Sequence, residues 1–371
     1  MTSTTQQALD PVRQEEFAGR MVQVLNDSCL GYLCSLGHRT RLFDVMAELS
    51  ASTSEQIAEA AGLNERYVRE WLGGVTVGGI VVYDPADRTY RLPPEHAASL
   101  CRAAGPDNLA SFLQDLALIG LVEDEVVTAF RDGGGVPYSS YPKFQELQAE
   151  ETARVYDAAL VGTIIPLVPG LPERLGSGGG LDVLDIGTGQ GHAVNLLARA
   201  FPVSRFRGVD MSEGGIEAAR AEADRLGLEN ARFDLADAAA VTGPYDLITA
   251  FDVIHDLARP AETLADIAAS SKLEENLDLL LGPTLYTFSV FYCMTVSLGE
   301  GGAGLGTVWG RQTALRMLKE AGFGEVAVRE AEGDILNVYY VARKGSCGEE
   351  ARRQGDAAEP VRCRPPGAAP V

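Results

Sequence analysis

The sequence predicts an α/β protein in which a parallel sheet covered by helices follows a smaller winged-helix and helical module. Two observations carry the sheet: strand and helix alternate from about residue 181 onward, and three glycines stand at alternate positions directly after the first of those strands. A third carries the front module, where helical patterns end in an alternating stretch around an Asp-Pro turn.

In chain order, "GYLCSLGHRTRLFDVMAEL" places apolar residues at helical spacing, and a Ser/Thr cluster then caps "TSEQIAEAAG", which Gly62 closes. "NERYVREWLGGV" is a further helix, and "GIVVYDPADRTYRL" reads as a β-hairpin. Helices followed by a hairpin describe a winged helix. From about 106 to 170 the pattern is mainly helical, until "PLVPGLPERLGSGGG" breaks it with prolines and glycines. The expected organisation is a winged-helix domain over 1–105, a helical linker region over 106–175 and an α/β domain over 176–344. The tail, 345–371, has too few large apolar residues to pack and is expected to be disordered.

Within the α/β part come "LDVLDIG", a helix from 192, "RFRGVD", a helix from 213, "ARFDLAD" and "YDLITAFDVIHD". "EVAVREAEGDILNVYYVARK" reads as two strands forming an antiparallel hairpin on that sheet. The apolar stretch "LYTFSVFYCMTVSL" at 285–298 is too short to span a membrane and reads as a packed or ligand-facing helix, with Tyr286, Phe291, Tyr292 and Met294 as pocket-wall or core residues. Directly after it, the glycines of "GEGGAGLG" suit either a hinge or a plain loop.

Composition narrows the partners. With 371 residues and 46% hydrophobic content, the chain can bury a sizeable core, while a formal charge of −21 repels nucleic acid and anionic membrane. Six scattered cysteines without a CxxC pair and an N-terminus without a signal-peptide pattern give the expectation of a cytoplasmic protein with neither membrane span nor disulfide framework.

The glycines of "VLDIGTGQGH" define the candidate site. Gly187, Gly189 and Gly191 space as GxGxG rather than the GxGxxG of a dinucleotide turn, which points away from NAD. Without Cβ atoms they let a ligand approach the backbone, whose amides can meet a carboxylate. Asp185, Asp210 and Asp237 follow at successive strand ends. Any one of them reads equally well as a capping or solvated carboxylate; three at consecutive strand ends read as a site.

"VLDIGTGQGH", "GVDMS", "DLADA" and "ITAFDVIHD", in that order, resemble the motifs of class I S-adenosylmethionine-dependent methyltransferases. The resemblance is strongest over 181–260. It implies a Rossmann-like methyltransferase sheet and S-adenosyl-L-methionine as cofactor. Asp185 would take the amino group of the methionine moiety, Asp210 the ribose hydroxyls, Met211 the adenine face and Asp237 the exocyclic amine, with Ala238 and Phe251 completing the cofactor set. The His-Asp step of "DVIHDLARP" is similar to that of small-molecule O-methyltransferases, which implies His255 as general base toward a small, hydroxylated methyl acceptor. The alternative for His255 is a helix-start or packing residue. His192 either touches the ligand or begins a helix, and His38 and His96 read as structural.

The front domain is similar to the winged-helix domains of small-molecule methyltransferases, which serve as dimerisation and substrate-roof elements; a homodimer through it is the implied partner arrangement. A winged-helix transcriptional regulator is the other reading. Against it, Arg66 and Arg69 are flanked by Glu65 and Glu70, and acids outnumber bases in the first hundred residues.

One departure stands out. Between the helix expected at "AETLADIAAS" and "SKLEENLDLLLGP" the family pattern calls for a turn and a fifth parallel strand, and both are missing at the Ser270–Ser271 junction. Either 277–282 is recruited as a substitute strand, or the sheet closes with one strand fewer, or the chain folds poorly and is an inactive, S-adenosylmethionine-binding or degenerate homologue.

Overall fold

The computed structural model describes residues 9–241, 243–253, 266–267, 273–307, 309–332, 334 and 337–344. His255, the Ser270–Ser271 junction and the tail 345–371 lie outside the described residues.

The front module starts earlier than the apolar pattern indicates. Helix α1 (Pro11–Arg39) opens at Asp10, whose side chain accepts from the Val12 and Arg13 amides, with Pro11 at the first helical position. The expected single helix over 31–49 is broken at Thr40–Arg41. Arg41 takes a left-handed conformation (φ 61°) and α2 (Leu42–Glu48) follows. Helix α3 (Ser54–Ala61) carries the capping box Thr53/Gln56 and ends on left-handed Gly62. Helix α4 (Glu65–Val77) is capped by Asn64, and β1 (Val82–Asp84) pairs antiparallel with β2 (Thr89–Arg91). Phe43, Ile57, Val68, Trp71, Leu72 and Val75 form the core of this winged helix, with the Trp71 indole donating to the Leu33 carbonyl at 2.8 Å.

The connecting region is α5 (Pro94–Leu100), α6 (Asp115–Ile119), α7 (Glu123–Asp132), α8 (Phe144–Ala159) and α9 (Leu171–Gly176). Helix α8 ties it to the winged helix. Glu150 accepts from His38 Nε2 at 2.8 Å and from Gln114 at 3.0 Å, and pairs with Arg102 at 3.1 Å. The His38 imidazole, the most important of these partners, holds the Glu150 carboxyl down at about 2.

Then strand and helix alternate as expected: β3 (Asp182–Ile186), α10 (His192–Ala200), β4 (Arg205–Asp210), α11 (Glu213–Leu226), β5 (Ala231–Leu235) and β6 (Leu247–Ala250). The strands form a parallel sheet in the order β5-β4-β3-β6. One face packs Val183, Phe206 and Phe233 against α8 to α11; the other packs Leu184, Ile186 and Val209 against Trp309 and Met317. Burial on both faces explains why Val183, Leu184 and Ile186 of β3 are apolar without alternating with exposed residues.

Beyond β6 the expectations fail in part. Asp266–Ile267, within the stretch read as a helix, is strand β7. Residues 277–282 are no substitute strand: they form turns leading into α12 (Gly282–Phe288), whose start is set by Pro283. Leu280 is 92% exposed, so this run lacks the buried face that a central strand needs. The segment 285–298 is helical, as α12, a π turn over Ser289–Cys293 and α13 (Met294–Gly299). Helix α14 (Arg311–Glu320) precedes the expected hairpin of β8 (Phe323–Arg329) and β9 (Asn337–Lys344). Among the described residues the hairpin shares no ladder with the parallel sheet. Strand β9 pairs antiparallel with β7, through Asp266↔Val338 and Ile267↔Asn337, in a separate sheet ordered β7-β9-β8. Among the described residues no ladder joins β6 to the hairpin.

Candidate functional site

The site lies where β3, β4, β5 and β6 end. After Ile186 the chain must turn sharply into α10, and Gly187 (φ 66°), Gly189 (φ 54°) and Gly191 (φ 72°) all take the left-handed conformation that other residues avoid. The three have different neighbours. A Cβ on Gly187 would lie 2.2 Å from the Val253 side chain, and one on Gly191 2.6 Å from Ala219 and the Phe233 ring. At Gly189 it would meet only Gln145 Oε1, at 3.4 Å. Gly187 and Gly191 are therefore fixed by packing, whereas Gly189 leaves an open cradle of backbone. No side chain caps α10, so its first amides stay available to an anion.

Asp210, the last residue of β4, holds the loop in place. Its Oδ2 accepts from the Gly189 amide and its Oδ1 from the Ser212 amide, each at 2.8 Å. Each carboxylate oxygen keeps a second lone pair for a ligand hydroxyl. Ser212 in turn caps α11 by accepting from the Gly215 amide.

Asp185 is only 4% exposed. Burial pushes its carboxyl up to about 6, although the Thr249 hydroxyl, donating to Oδ1 at 2.6 Å, opposes the shift. The protein thus keeps a buried carboxylate that a cationic ligand group would stabilise. Met211 is 71% exposed on the rim. Asp237 is exposed just beyond β5, Ala238 opens a short 3-10 turn, and the Ala236 amide bonds to the Asp210 carbonyl at 2.9 Å, which ties these two strand ends together. Phe251 follows β6 and packs on Tyr156 of α8, ring centroids 5.3 Å apart.

The structure therefore brings Asp237, Asp210, Asp185 and Phe251 to one rim in the strand order β5, β4, β3, β6. His192 begins α10 and meets Asp157 at 2.9 Å; His38 and His96 make internal hydrogen bonds. Tyr292 is core, packed on Tyr141 and Phe144. Sequence reasoning missed Thr249 and Gln145. Thr249 could have been found as the hydroxyl in an otherwise apolar strand beside one holding a buried acid.

Comparison with known proteins agrees with this architecture. A family model for the Rv2258c-like winged HTH domain matches residues 28–102, and one for a methyltransferase domain matches 177–280. The chain joins a winged helix to a methyltransferase domain. Among solved structures, the mitomycin 7-O-methyltransferase MmcR is similar at a TM-score of 0.63 and 14% identity, covering 90% of this chain and 100% of its own. Human N-acetylserotonin methyltransferase, solved with S-adenosylmethionine, gives 0.60 and 15%, covering 93% and 100%. The O-methyltransferase NcsB1, solved with S-adenosylmethionine and 2-hydroxy-5-methyl naphthoic acid, gives 0.57 and 16%, covering 84% and 95%. At such identities the likeness establishes the fold, that of class I methyltransferases behind an N-terminal winged helix. Among the described residues no helix is long and apolar enough to cross a membrane.

Proposed function

We propose that the protein is an S-adenosylmethionine-dependent methyltransferase acting on a small hydroxylated molecule. The observation that carries this is the open backbone cradle at Gly189, clamped by Asp210 beside the buried Asp185 carboxylate. When bound, S-adenosylmethionine supplies an electrophilic methyl group on a sulfonium. Asp185 would receive the ammonium of the methionine moiety, and the uncapped amides at the start of α10 would receive its carboxylate, since the Gly189 amide already donates to Asp210 and the Gly191 amide to the Thr188 carbonyl. Asp210 takes the ribose hydroxyls, Met211 and Phe251 flank the adenosyl group, and Asp237 and Ala238 meet the adenine edge. The remaining tasks are to align the acceptor, exclude water and take up its hydroxyl proton, which we assign to His255.

The domain bounds 1–105, 106–175 and 176–344 and a cytoplasmic location belong to the same reading; Cys29, Cys34, Cys101 and Cys293 are all free thiols. So does a homodimer through the front domain. Phe17, Met21, Leu25, Tyr32 and Leu36 share one stripe of α1 and are all exposed, as a face that a second copy covers would be. The double variant Phe17→Asp/Leu25→Asp should convert a particle of twice the 39.5 kDa chain mass into a monomer in light scattering. Arg66 and Arg69 are each paired with a glutamate on α4, which leaves little charge for DNA phosphates.

Calorimetric titration with S-adenosylhomocysteine is the deciding experiment. Saturable one-to-one binding is expected, and its absence refutes the reading and favours a degenerate homologue. With an identified acceptor, His255→Ala should lower turnover about 100-fold or more. Near-normal turnover removes the base assignment.

A further inference from the structure

The glycine loop has one neighbour that does not come from the strand ends. Where a Cβ on Gly189 would point, the single atom within reach is Gln145 Oε1, at 3.4 Å. Gln145 stands in the first turn of α8, and both it and Gly189 are half-buried, so each keeps surface that a ligand can touch. Its carboxamide has no hydrogen-bond partner among the described residues.

Packing on either side holds Gln145 at the loop. Phe144, one residue earlier, packs its ring on Tyr138 and on Tyr292 of the π turn, with centroids 5.3 and 4.5 Å apart. Five residues later Glu150 is fixed by His38, Gln114 and Arg102 of the regions in front. Toward the end of the helix Asp157 meets His192, the first residue of α10, at 2.9 Å. Helix α8 therefore reaches the cofactor loop at Gly189 and again where α10 begins.

The rim lacks what Gln145 can supply. Asp185, Asp210 and Asp237 suit an ammonium, hydroxyls or an exocyclic amine, but each repels an anion. A methionine moiety carries a carboxylate beside its ammonium, and the α10 amides meet it from the main chain alone. A carboxamide N–H donates to a carboxylate without setting a positive charge against the ammonium or sulfonium of the same ligand. A half-turn of the amide exchanges Oε1 for Nε2, at little cost to a group with no partner to lose.

We propose that Gln145 is a cofactor-binding residue whose Nε2–H donates to the carboxylate of S-adenosylmethionine at the Gly189 cradle, so that the helical region recognises the amino-acid end of the cofactor. This inference rests on the methyltransferase reading above.

The test is calorimetric titration of the full chain with S-adenosylmethionine and with decarboxylated S-adenosylmethionine, which lacks only the carboxylate. Gln145→Ala should weaken S-adenosylmethionine about ten-fold and the decarboxylated form about two-fold or less. Gln145→Glu should weaken S-adenosylmethionine further, by about thirty-fold or more, and leave the decarboxylated form as tight or tighter, because the new carboxylate repels the anion and attracts the cation. The unfolding midpoint of the free chain should move by no more than about 2 °C in either variant, since the carboxamide has no bond to lose. If S-adenosylmethionine fails to bind the unaltered chain, the methyltransferase reading falls and this assignment with it. If it binds, the assignment alone is overturned by unchanged affinity in Gln145→Ala, by equal losses for the two ligands, or by Gln145→Glu binding S-adenosylmethionine as Gln145→Ala does. Where the decarboxylated form is too weak to titrate, the order of the two variants with S-adenosylmethionine decides.

Discussion

On the β5-β4-β3 side of the domain each strand lies in register with its neighbour, both faces of β3 and β4 are covered, and the rim carries Asp210, clamped by two backbone amides. On the β6-to-β9 side, among the described residues, β6 pairs only with β3, and the terminal hairpin pairs with the two residues of β7. The two sides share a core, since Tyr339 of β9 packs in the same cluster as Val183 of β3. What separates them is backbone hydrogen bonding. On the proposed reading Asp185, Asp210 and Asp237 belong to the first side, so cofactor binding would draw chiefly on the strands that are laddered along their length.

Hydrogen exchange measures this contrast directly and carries the largest expected effect. Amides of β4, flanked along its length on both sides, should exchange about a thousand-fold more slowly than those of β9, whose ladder to β8 is backed on its other edge by only the two described residues of β7, because local opening of that smaller sheet bypasses global unfolding. Equal protection of the two strands would show one cooperative unit and remove the contrast.

The glycine loop sharpens it next. Gly191→Ala introduces a Cβ 2.6 Å from Ala219 and Phe233 at a left-handed residue, so the domain should lose about 3 kcal/mol in denaturant unfolding. Gly189→Ala has the same backbone constraint but open space, so it should cost about 1 kcal/mol in stability while weakening S-adenosylhomocysteine about ten-fold or more. Equal stability losses for the two would show that the cradle is packed rather than open.

Much of this half was legible in the sequence. A sharp strand-to-helix turn needs left-handed residues, and only glycine supplies them freely, so Gly187, Gly189 and Gly191 announce the turn. Asp185, Asp210 and Asp237 stand at strand ends that composition alone marks. Thr249 was not legible, because its contact with Asp185 comes from a parallel register across 64 residues of chain. Nor were the first turns of α1, whose apolar residues face outward and show no buried stripe. At 277–282 a run of leucines imitated a strand, but exposed leucines followed by Gly282-Pro283 start a helix instead.

Asp185 gives a pH test of the first side. Its carboxyl is raised to about 6, so in the free protein it favours the folded state most at acid pH, and that contribution is lost as pH climbs from about 4 through 6. Binding of the ligand ammonium should require the ionised form. S-adenosylhomocysteine affinity should therefore rise about ten-fold from pH 5 to pH 7, while Asp185→Asn raises the stability of the free protein at pH 7 and removes the pH dependence. A flat affinity profile would take Asp185 out of the cofactor site.

The smallest expected effect tests whether the hairpin folds with the rest. Tyr339 donates to Asp334 Oδ2 at 2.6 Å, with both residues buried, and Asn337 also donates to that carboxylate. Tyr339→Phe keeps the ring in the shared core and removes only the hydroxyl. Because Asp334 retains Asn337, the loss should be about 1 kcal/mol rather than the full cost of an unpaired buried charge. If the hairpin belongs to the cooperative unit, that loss appears in the global unfolding transition. If it opens on its own, exchange at β9 accelerates while the global midpoint stays fixed, and the parallel sheet and the hairpin behave as two units.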